Sequence, residues 1–353
     1  IGTMSGTSHD GIDICALKDS NQISLLKFCS FQYPQKLRKD ISKVIQQQAL
    51  SLNMYFELDK RIGIAFSKSI NKFLTQNRIY KKDVAAIGLS GQTLFHKPKG
   101  KYPFSIQAGD PKIIANECQI NVVSDFRNDH IKLGGEGAPL VPEFHQKIFS
   151  KKDTSVVVLN IGGISNFTYL DGKDNFYGSD CGPGNALMDI YCQKFLNRPY
   201  DKNGAHAKNG EVHTPSLDKM LDHSFFRRRH PKSTGKEIFN IKFIPKILLK
   251  KSSNDILATL TELTSVCIAK SLLSLKKKPD RVIVCGGGQK NNFLVSSIEK
   301  HIRMPLTSSN KYNFDPQAIE AMAFGWMARQ RVLRNPLLVK KNRGLLGTLT
   351  KFK

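Results

Sequence analysis

The chain has 353 residues, 40% apolar and 24% charged, enough for two domains and a large core. No run approaches the ~18 to 20 apolar residues of a membrane span, and no secretion signal is read at its start, which is Ile1 rather than Met. The seven cysteines (Cys15, Cys29, Cys118, Cys181, Cys192, Cys267 and Cys285) form no C-x-x-C pair, so reduced thiols in a cytoplasmic protein are expected, not a disulfide frame or a zinc site.

Basic residues number 54 against 29 acidic, a net charge of +25, and 40 of the 54 are Lys spread along the whole chain. The clusters Arg227-Arg228-Arg229-His230 and Lys276-Lys277-Lys278 do not interleave with aromatics as a single-strand binding face does. A solvated Lys-rich surface is favoured over a nucleic-acid partner.

In chain order, alternation predicts strands over 12–17 and 23–33, and helical spacing follows over 39–48 and 54–74. A short strand is expected at 84–90, with 102–109 pairing 93–96, then a helix over 111–118 and a strand over 121–126. The loop Gly134-Gly135-Glu136-Gly137-Ala138-Pro139 marks the expected domain boundary, giving domains 1–135 and 136–353 with the C-terminal tail packing back on the first. The second half alternates again: strands at 155–160, 167–170, 175–177 and 281–285, and helices at 185–196, 256–275, 293–301 and 318–333. No internal sequence repeat is found. The pattern argues an α/β protein with two sheet-centred domains.

The most informative segment is Gly178-Ser179-Asp180-Cys181-Gly182-Pro183-Gly184-Asn185. It is expected to present a carboxylate at a strand end and then open a helix at Asn185, whose unpaired N–H groups can face an anion. Residues 2–13 carry the same logic, with hydroxyls Thr3, Ser5, Thr7 and Ser8 and acids Asp10 and Asp13. Walker-type and dinucleotide-binding glycine patterns are absent. Three glycine-rich turns, 2–11, 161–166 and 286–288, each follow or join strands and suit a triphosphate and metal held between two lobes. Taken singly, each is an ordinary turn.

Residues 2–13, 91–93, 107–111, 125–127, 134–142, 159–166, 180–189, 200–204, 231–237, 285–291 and 315–323 together resemble the anhydro-N-acetylmuramic acid kinase family, in family order over nearly the whole chain. The resemblance implies two actin-like (ribonuclease H-like) lobes with an interlobe active-site cleft. It implies a cytoplasmic enzyme of peptidoglycan recycling. That enzyme opens the 1,6-anhydro ring of its sugar with water and phosphorylates the freed oxygen from ATP, giving N-acetylmuramic acid 6-phosphate. Asp180 would be the base. Gly6, Thr7, Ser8, His9, Asp10, Gly11, Ile12 and Asp13 would form the ATP phosphate loop, with Asp10 towards Mg2+. Gly162, Gly163, Gly286, Gly287 and Gly288 would contact the nucleotide from the second lobe, and Gln92, Arg127 and Glu320 would hold the sugar. The expected partners are the sugar and ATP, with no membrane partner and with room for a homodimer.

Read without the family, Gln92 closes a turn, Arg127 pairs with Asp125 or Asp129, and Glu320 favours a helix dipole. The chain departs from the family pattern at His9, Ser90, His130, Glu136, Cys181 and Lys236. Competing readings are a sugar kinase with another acceptor, or a non-catalytic binder of anionic polymer.

Overall fold

The computed structural model describes residues 1–6, 11–20, 22–47 (46 by its main chain alone), 49–235 and 237–353. Two compact units form, one from Ile1–Phe144 with Asn313–Lys353 and one from His145–Tyr312.

The first unit holds β1 (Gly2–Ser5), β2 (Gly11–Asp19), β3 (Ile23–Gln32), β4 (Ile87–Lys97), β5 (Phe104–Ala108) and β6 (Val122–Ser124). The second holds β7 (Val156–Ile161), β8 (Ile164–Leu170), β9 (Phe176–Pro183), β10 (Arg281–Cys285) and β11 (Leu306–Ser308). The chain then returns to the first unit with the hairpin β12 (Leu337–Val339) and β13 (Asn342–Gly344) and with β14 (Thr348–Thr350), which pairs β6. The helices are α1 (Gln35–Gln47), α2 (Leu52–Gln76), α3 (Pro111–Cys118), α4 (Phe126–Lys132), α5 (Pro142–Phe149), α6 (Ala186–Phe195), α7 (Thr214–Leu221), α8 (Ser224–Arg227), α9 (Ser253–Leu273), α10 (Asn292–Ile302) and α11 (Ile319–Val332).

Both sheets have one topology. In the first, β1, β2 and β3 are successive antiparallel neighbours, while β4 lies parallel to β1 and β6 parallel to β4. In the second, β7, β8 and β9 are antiparallel, β10 is parallel to β7 and β11 to β10. Three antiparallel strands followed by two parallel to the first is the ribonuclease H-like order, made twice without a sequence repeat.

The reasons are local. All six residues of β7, Val-Val-Val-Leu-Asn-Ile, are buried, as a central strand covered on both faces requires. In the first unit α11 crosses β1 and β4 so closely that a Cβ on Gly2 would stand 1.9 Å from Ala321 O, and one on Gly88 2.1 Å from Phe324 O. The expected separate strands at 84–90 and 93–96 are instead one strand, β4, which runs through Gly91 at φ +62. The glycine absorbs a conformation that would have ended a strand of other residues.

Helix α9 corrects the membrane reading. It is long and apolar enough by length and composition to cross a membrane, yet 78% of its most apolar window is buried inside the protein. Its Ser and Thr hydroxyls interrupt the apolar run in sequence. Ser265 bonds back to Thr261 O at 3.0 Å and Ser271 to Cys267 O at 2.9 Å, while Thr264 donates to Gly184 O at 2.9 Å, so these hydroxyls enter the core satisfied.

His145 opens the second unit and is 1% exposed, with Nδ1 against Thr168 Oγ1 at 2.8 Å and Nε2 unpartnered. Burial pushes its pKa down to about 3. A lowered histidine contributes stability in full above its unfolded value of about 6.5, and that stability is lost as pH falls towards the folded value. Urea midpoints at pH 7 and pH 5 are therefore expected to differ more for the native chain than for His145→Gln, by about 1.4 kcal/mol per pH unit at most. Equal pH dependence in the two proteins would show that His145 does not titrate between these states.

Candidate active site

Asp180 lies inside β9, not at its end, because the strand continues to Pro183 and α6 starts at Ala186. Where β9 pairs β8, the register jumps: Asn166 faces Asp180 and Ser165 faces Gly182, leaving Cys181 as the extra residue. Such a bulge bends a strand and re-aims its side chains. The segment after Arg229 runs beside β9. Asp180 N donates to Lys232 O at 2.9 Å, Lys232 N donates to Ser179 Oγ at 3.0 Å, and Thr234 N donates to Asp180 Oδ2 at 2.8 Å. The result is a carboxylate 8% exposed, with one oxygen fixed by a main-chain N–H. His230 Nδ1 meets Ser179 Oγ at 2.5 Å, and burial, then the Lys232 charge, push that imidazole down to about 4.

At the N-terminus of α6 the N–H groups of Gly184, Asn185 and Ala186 are taken by main chain. Gly184 and Ala186 donate to Gly163 O at 2.9 and 3.0 Å, and Asn185 donates to Gly162 O at 2.8 Å. The carbonyls of the β7–β8 turn thus cap the helix, and Gly184 is the residue that allows the close approach: a Cβ there would lie 2.3 Å from Gly162 O.

Gly286, Gly287 and Gly288 follow β10, whose last pair with β7 is Cys285 opposite Asn160. Gly286 has φ +81, and a Cβ there would stand 2.3 Å from Asn160 Oδ1. A Cβ on Gly288 would stand 2.3 Å from Ile161 Cγ2, while one on Gly287 would meet nothing within 4 Å. Gly162, Gly163 and Gly286–288 therefore gather at the C-terminal ends of two neighbouring parallel strands, the end of an α/β sheet where ligands bind. Bare backbone there, open at Gly287, fits the approach of a phosphate chain.

In the first unit the equivalent β1–β2 turn begins at Gly6. Thr7, Ser8, His9 and Asp10 lie outside the described residues, as does Lys236. Ile12 is a core side chain, so only its main chain is available to a nucleotide, whereas Asp13 points to the other face and accepts from Ser30 Oγ. Gln92 is fully buried on β4. Its Oε1 accepts from Ser5 Oγ at 2.7 Å, and its Nε2 donates to Thr93 O at 3.2 Å and Gly6 O at 3.4 Å. Tyr33 donates to the same Ser5 Oγ at 3.1 Å. This amide ties the start of the turn to β4.

Arg127, on α4, pairs with neither Asp125 nor Asp129. Asp125 accepts from Asn128 at 2.6 Å, and Asp129 from Lys132 at 2.9 Å and from Gly347 N at 3.0 Å. Arg127 instead donates to Gly137 O at 2.8 Å and lies over Phe324 at 5.9 Å from the ring centroid, with its buried Nε unpartnered. Glu320 stands in the first turn of α11. Burial raises its carboxyl above the usual range, Arg127 lowers it and Asp13 raises it further, while burial lowers Arg127 and Glu320 offsets that. Glu320 thus senses the charges of Arg127 and Asp13, yet among the described residues Arg127 and Glu320 close no ion pair. Two opposite charges, desolvated and held apart, fit a polar ligand better than they fit one another.

Histidines sequence reasoning did not assign surround Arg127. His130 Nδ1 accepts from Gly137 N at 2.9 Å, and His96 Nδ1 meets Ser105 Oγ at 2.9 Å. Burial first, then the Arg127 charge, push both down to about 4, so they are neutral at pH 7. Nothing in their sequence spacing joins His96 to His130; the β4–β5 hairpin and α4 bring them together. Ser90 Oγ accepts from Ser5 N at 3.0 Å, Glu136 pairs with Lys99 at 3.1 Å, and the buried Cys181 thiol is pushed up to about 12. Among the described residues no group of three or more His, Cys, Asp or Glu stands ready to hold a metal, and Asp10 is not among those residues.

Comparison with known proteins gives the family. A family model described as anhydro-N-acetylmuramic acid kinase matches residues 1–349. An anhydro-N-acetylmuramic acid kinase from Gamma-proteobacterium EBAC31A08 is 45% identical, over 100% of this chain and 98% of its own. One from Sulfurovum sp. (strain NBC37-1) is 43% identical over 94% and 92%. Among solved structures, the activator of 2-hydroxyisocaproyl-CoA dehydratase from Clostridium difficile with bound ADPNP aligns at a TM-score of 0.47 and 11% identity, over 94% of this chain and 95% of its own. The chain belongs to the anhydro-N-acetylmuramic acid kinase family.

Proposed function

We propose that Asp180 is the general base of the family's reaction, the hydrolytic opening and 6-phosphorylation of 1,6-anhydro-N-acetylmuramic acid with ATP. The observation that carries this is a single carboxylate, nearly buried, re-aimed by a bulge and fixed through Oδ2 by Thr234 N. A water attacking the anomeric carbon loses its proton to Asp180 as the bond from that carbon to the bridging oxygen breaks. The released oxygen attacks the γ-phosphorus of ATP, and ADP leaves. The protein's share in phosphoryl transfer is positioning and charge neutralisation.

The glycine turns at 162–163 and 286–288 supply close backbone contacts to the nucleotide, and Gly6, Thr7, Ser8, His9, Asp10, Gly11, Ile12 and Asp13 supply the phosphate loop. Bound magnesium would neutralise phosphate charge, with Asp10 holding it or its waters. Arg127 and Glu320 hold the sugar, and Gln92 sets the turn beside it. The compartment is the cytoplasm.

Three outcomes test these roles. Asp180→Asn is expected to lower turnover by about 10² to 10⁴ while sugar and ATP still bind. Near-normal formation of the 6-phosphate by mass would assign the base elsewhere. Glu320→Gln keeps the shape and removes the charge; its KM for the anhydrosugar should rise about 10-fold or more, with the KM for ATP unchanged. Parallel rises in both constants would move Glu320 out of sugar binding. Asp10→Ala should raise the magnesium concentration needed for half-maximal rate, and an unaltered magnesium dependence would free Asp10 from that role.

A further inference from the structure

A row of three polar residues crosses the antiparallel strands of the second sheet. Asn160, near the end of β7, pairs with Asn166 of β8, and Asn166 pairs with Asp180 of β9. Directly opposite residues share a face with Cβ atoms about 5 Å apart, so the row spans two strand spacings, about 10 Å. The residues alternating with them face the other way: Leu159, Ile161, Phe167 and Cys181 belong to the apolar core of this unit.

The two amides are the odd members. Asparagine is a poor strand former, and here two stand opposite one another. Asn160 is 7% exposed and Asn166 is half-buried, yet neither side chain has a hydrogen-bond partner among the described residues. Neither amide is sealed in as the unpartnered Thr234 hydroxyl is, so both stay open to a ligand. A dehydrated amide without a partner is costly. The two ends of the row differ in chemistry. At one end the Asn160 amide lies against the glycine turns: a Cβ on Gly286 would stand 2.3 Å from its Oδ1, and one on Gly162 3.9 Å from its Nδ2. At the other end is the Asp180 carboxylate, and Asn166 stands between.

The reaction develops charge between the same two ends. Water bonds to the anomeric carbon and gives its proton to the base. The bond from that carbon to the bridging oxygen breaks, and its electron pair stays on the oxygen. That oxygen then bonds to the γ-phosphorus as the bond to ADP breaks. We propose that Asn166 is a catalytic residue for this atom, donating a hydrogen bond from Nδ2 to the bridging oxygen as negative charge gathers on it. Asn166 keeps both of its protons throughout. A neutral amide suits the task, because it stabilises the oxygen without protonating it and so leaves it free to attack phosphorus. The assignment rests on Asp180 as the base and on the glycine turns as the nucleotide site.

The test removes the donor in Asn166→Leu, which keeps the volume, and in Asn166→Ala. Steady-state rates with 1,6-anhydro-N-acetylmuramic acid, ATP and magnesium should show kcat lowered about 10²-fold, both KM values nearly unchanged, and Tm kept or raised. Asn166→Ser retains a donor and should lose less than either. The acid limb of kcat/KM should stay in place in Asn166→Leu, since an amide does not titrate. In Asn166→Asp it should move to higher pH, since a second carboxylate then stands opposite Asp180. Native kcat in folded Asn166→Leu overturns the proposal, and so does a loss confined to either KM, which would make Asn166 a ground-state binding group. A shifted acid limb in Asn166→Leu also overturns it, because the amide would then act through Asp180. An unmoved limb in Asn166→Asp would separate the two side chains and end the argument from the row. If both neutral variants fail to fold, the amide is structural and the proposal falls. Near-native turnover in Asp180→Asn is a different failure: it removes the base and leaves the Asn166 series to decide the role at the oxygen.

Discussion

Parallel pairing of β7 with β10, from Val156 opposite Arg281 to Asn160 opposite Cys285, sets the C-terminal ends of two buried strands side by side. Everything placed at that end follows from it. Strand β7 must turn at once to pair β8, and β10 must leave towards α10, so two turns compete for the same few ångströms. Only residues without a Cβ fit: at Gly286 and Gly288 any side chain would strike Asn160 or Ile161. The turns therefore expose main chain where other folds expose side chains, and main chain is what a phosphate can approach most closely. The pairing of β1 with β4 repeats the constraint in the first unit, where Gly6 opens the corresponding turn and Gln92 ties it down.

Charge is handled differently inside the protein than on its surface. Most of the excess of 25 positive charges is carried by exposed lysines, whose ion pairs contribute little at high dielectric. Arg127, Glu320, Asp180 and Lys232 are another matter. Each is desolvated or nearly buried, and Arg127 and Glu320 close no ion pair among the described residues. A core selected for stability alone would replace such groups with apolar ones. The retention of Arg127 and Glu320 is intelligible where a bound polar ligand completes their electrostatics.

How much of this could be read from the sequence depends on the range of the interaction. The helix over 111–118 was legible because Asp110 and Pro111 are local start signals, and the structure shows Asp110 accepting from Lys112 N and Ile113 N. The buried run of β7 and the glycines after β10 were legible for the same reason. The short helices α4, α5 and α7 were not, since seven or eight residues give too little periodicity to separate from loop. Asp180 was marked by its flanking glycines, but the bulge at Cys181 was invisible, because it depends on the register with Ser165 and Asn166. The twofold topology was hidden as well. It is a property of strand order and direction, which two unrelated hydrophobic patterns can satisfy equally.

The departures from the family pattern show how such a site tolerates change. Ser90 and His130 stand next to residues of the proposed machinery, yet each is absorbed into a main-chain contact: Ser90 accepts Ser5 N and donates to Gly91 O, and His130 accepts Gly137 N. What these positions must supply is a hydrogen-bonding atom facing a turn, and more than one side chain provides it. In their proposed roles, Asp180 and Arg127 allow no such exchange. An asparagine at 180 would keep the bond to Thr234 N and lose the basicity, and a lysine at 127 would lose the planar fork whose one arm already holds Gly137 O. The proposed chemistry is therefore concentrated in few side chains, and the main chain around them carries the geometry.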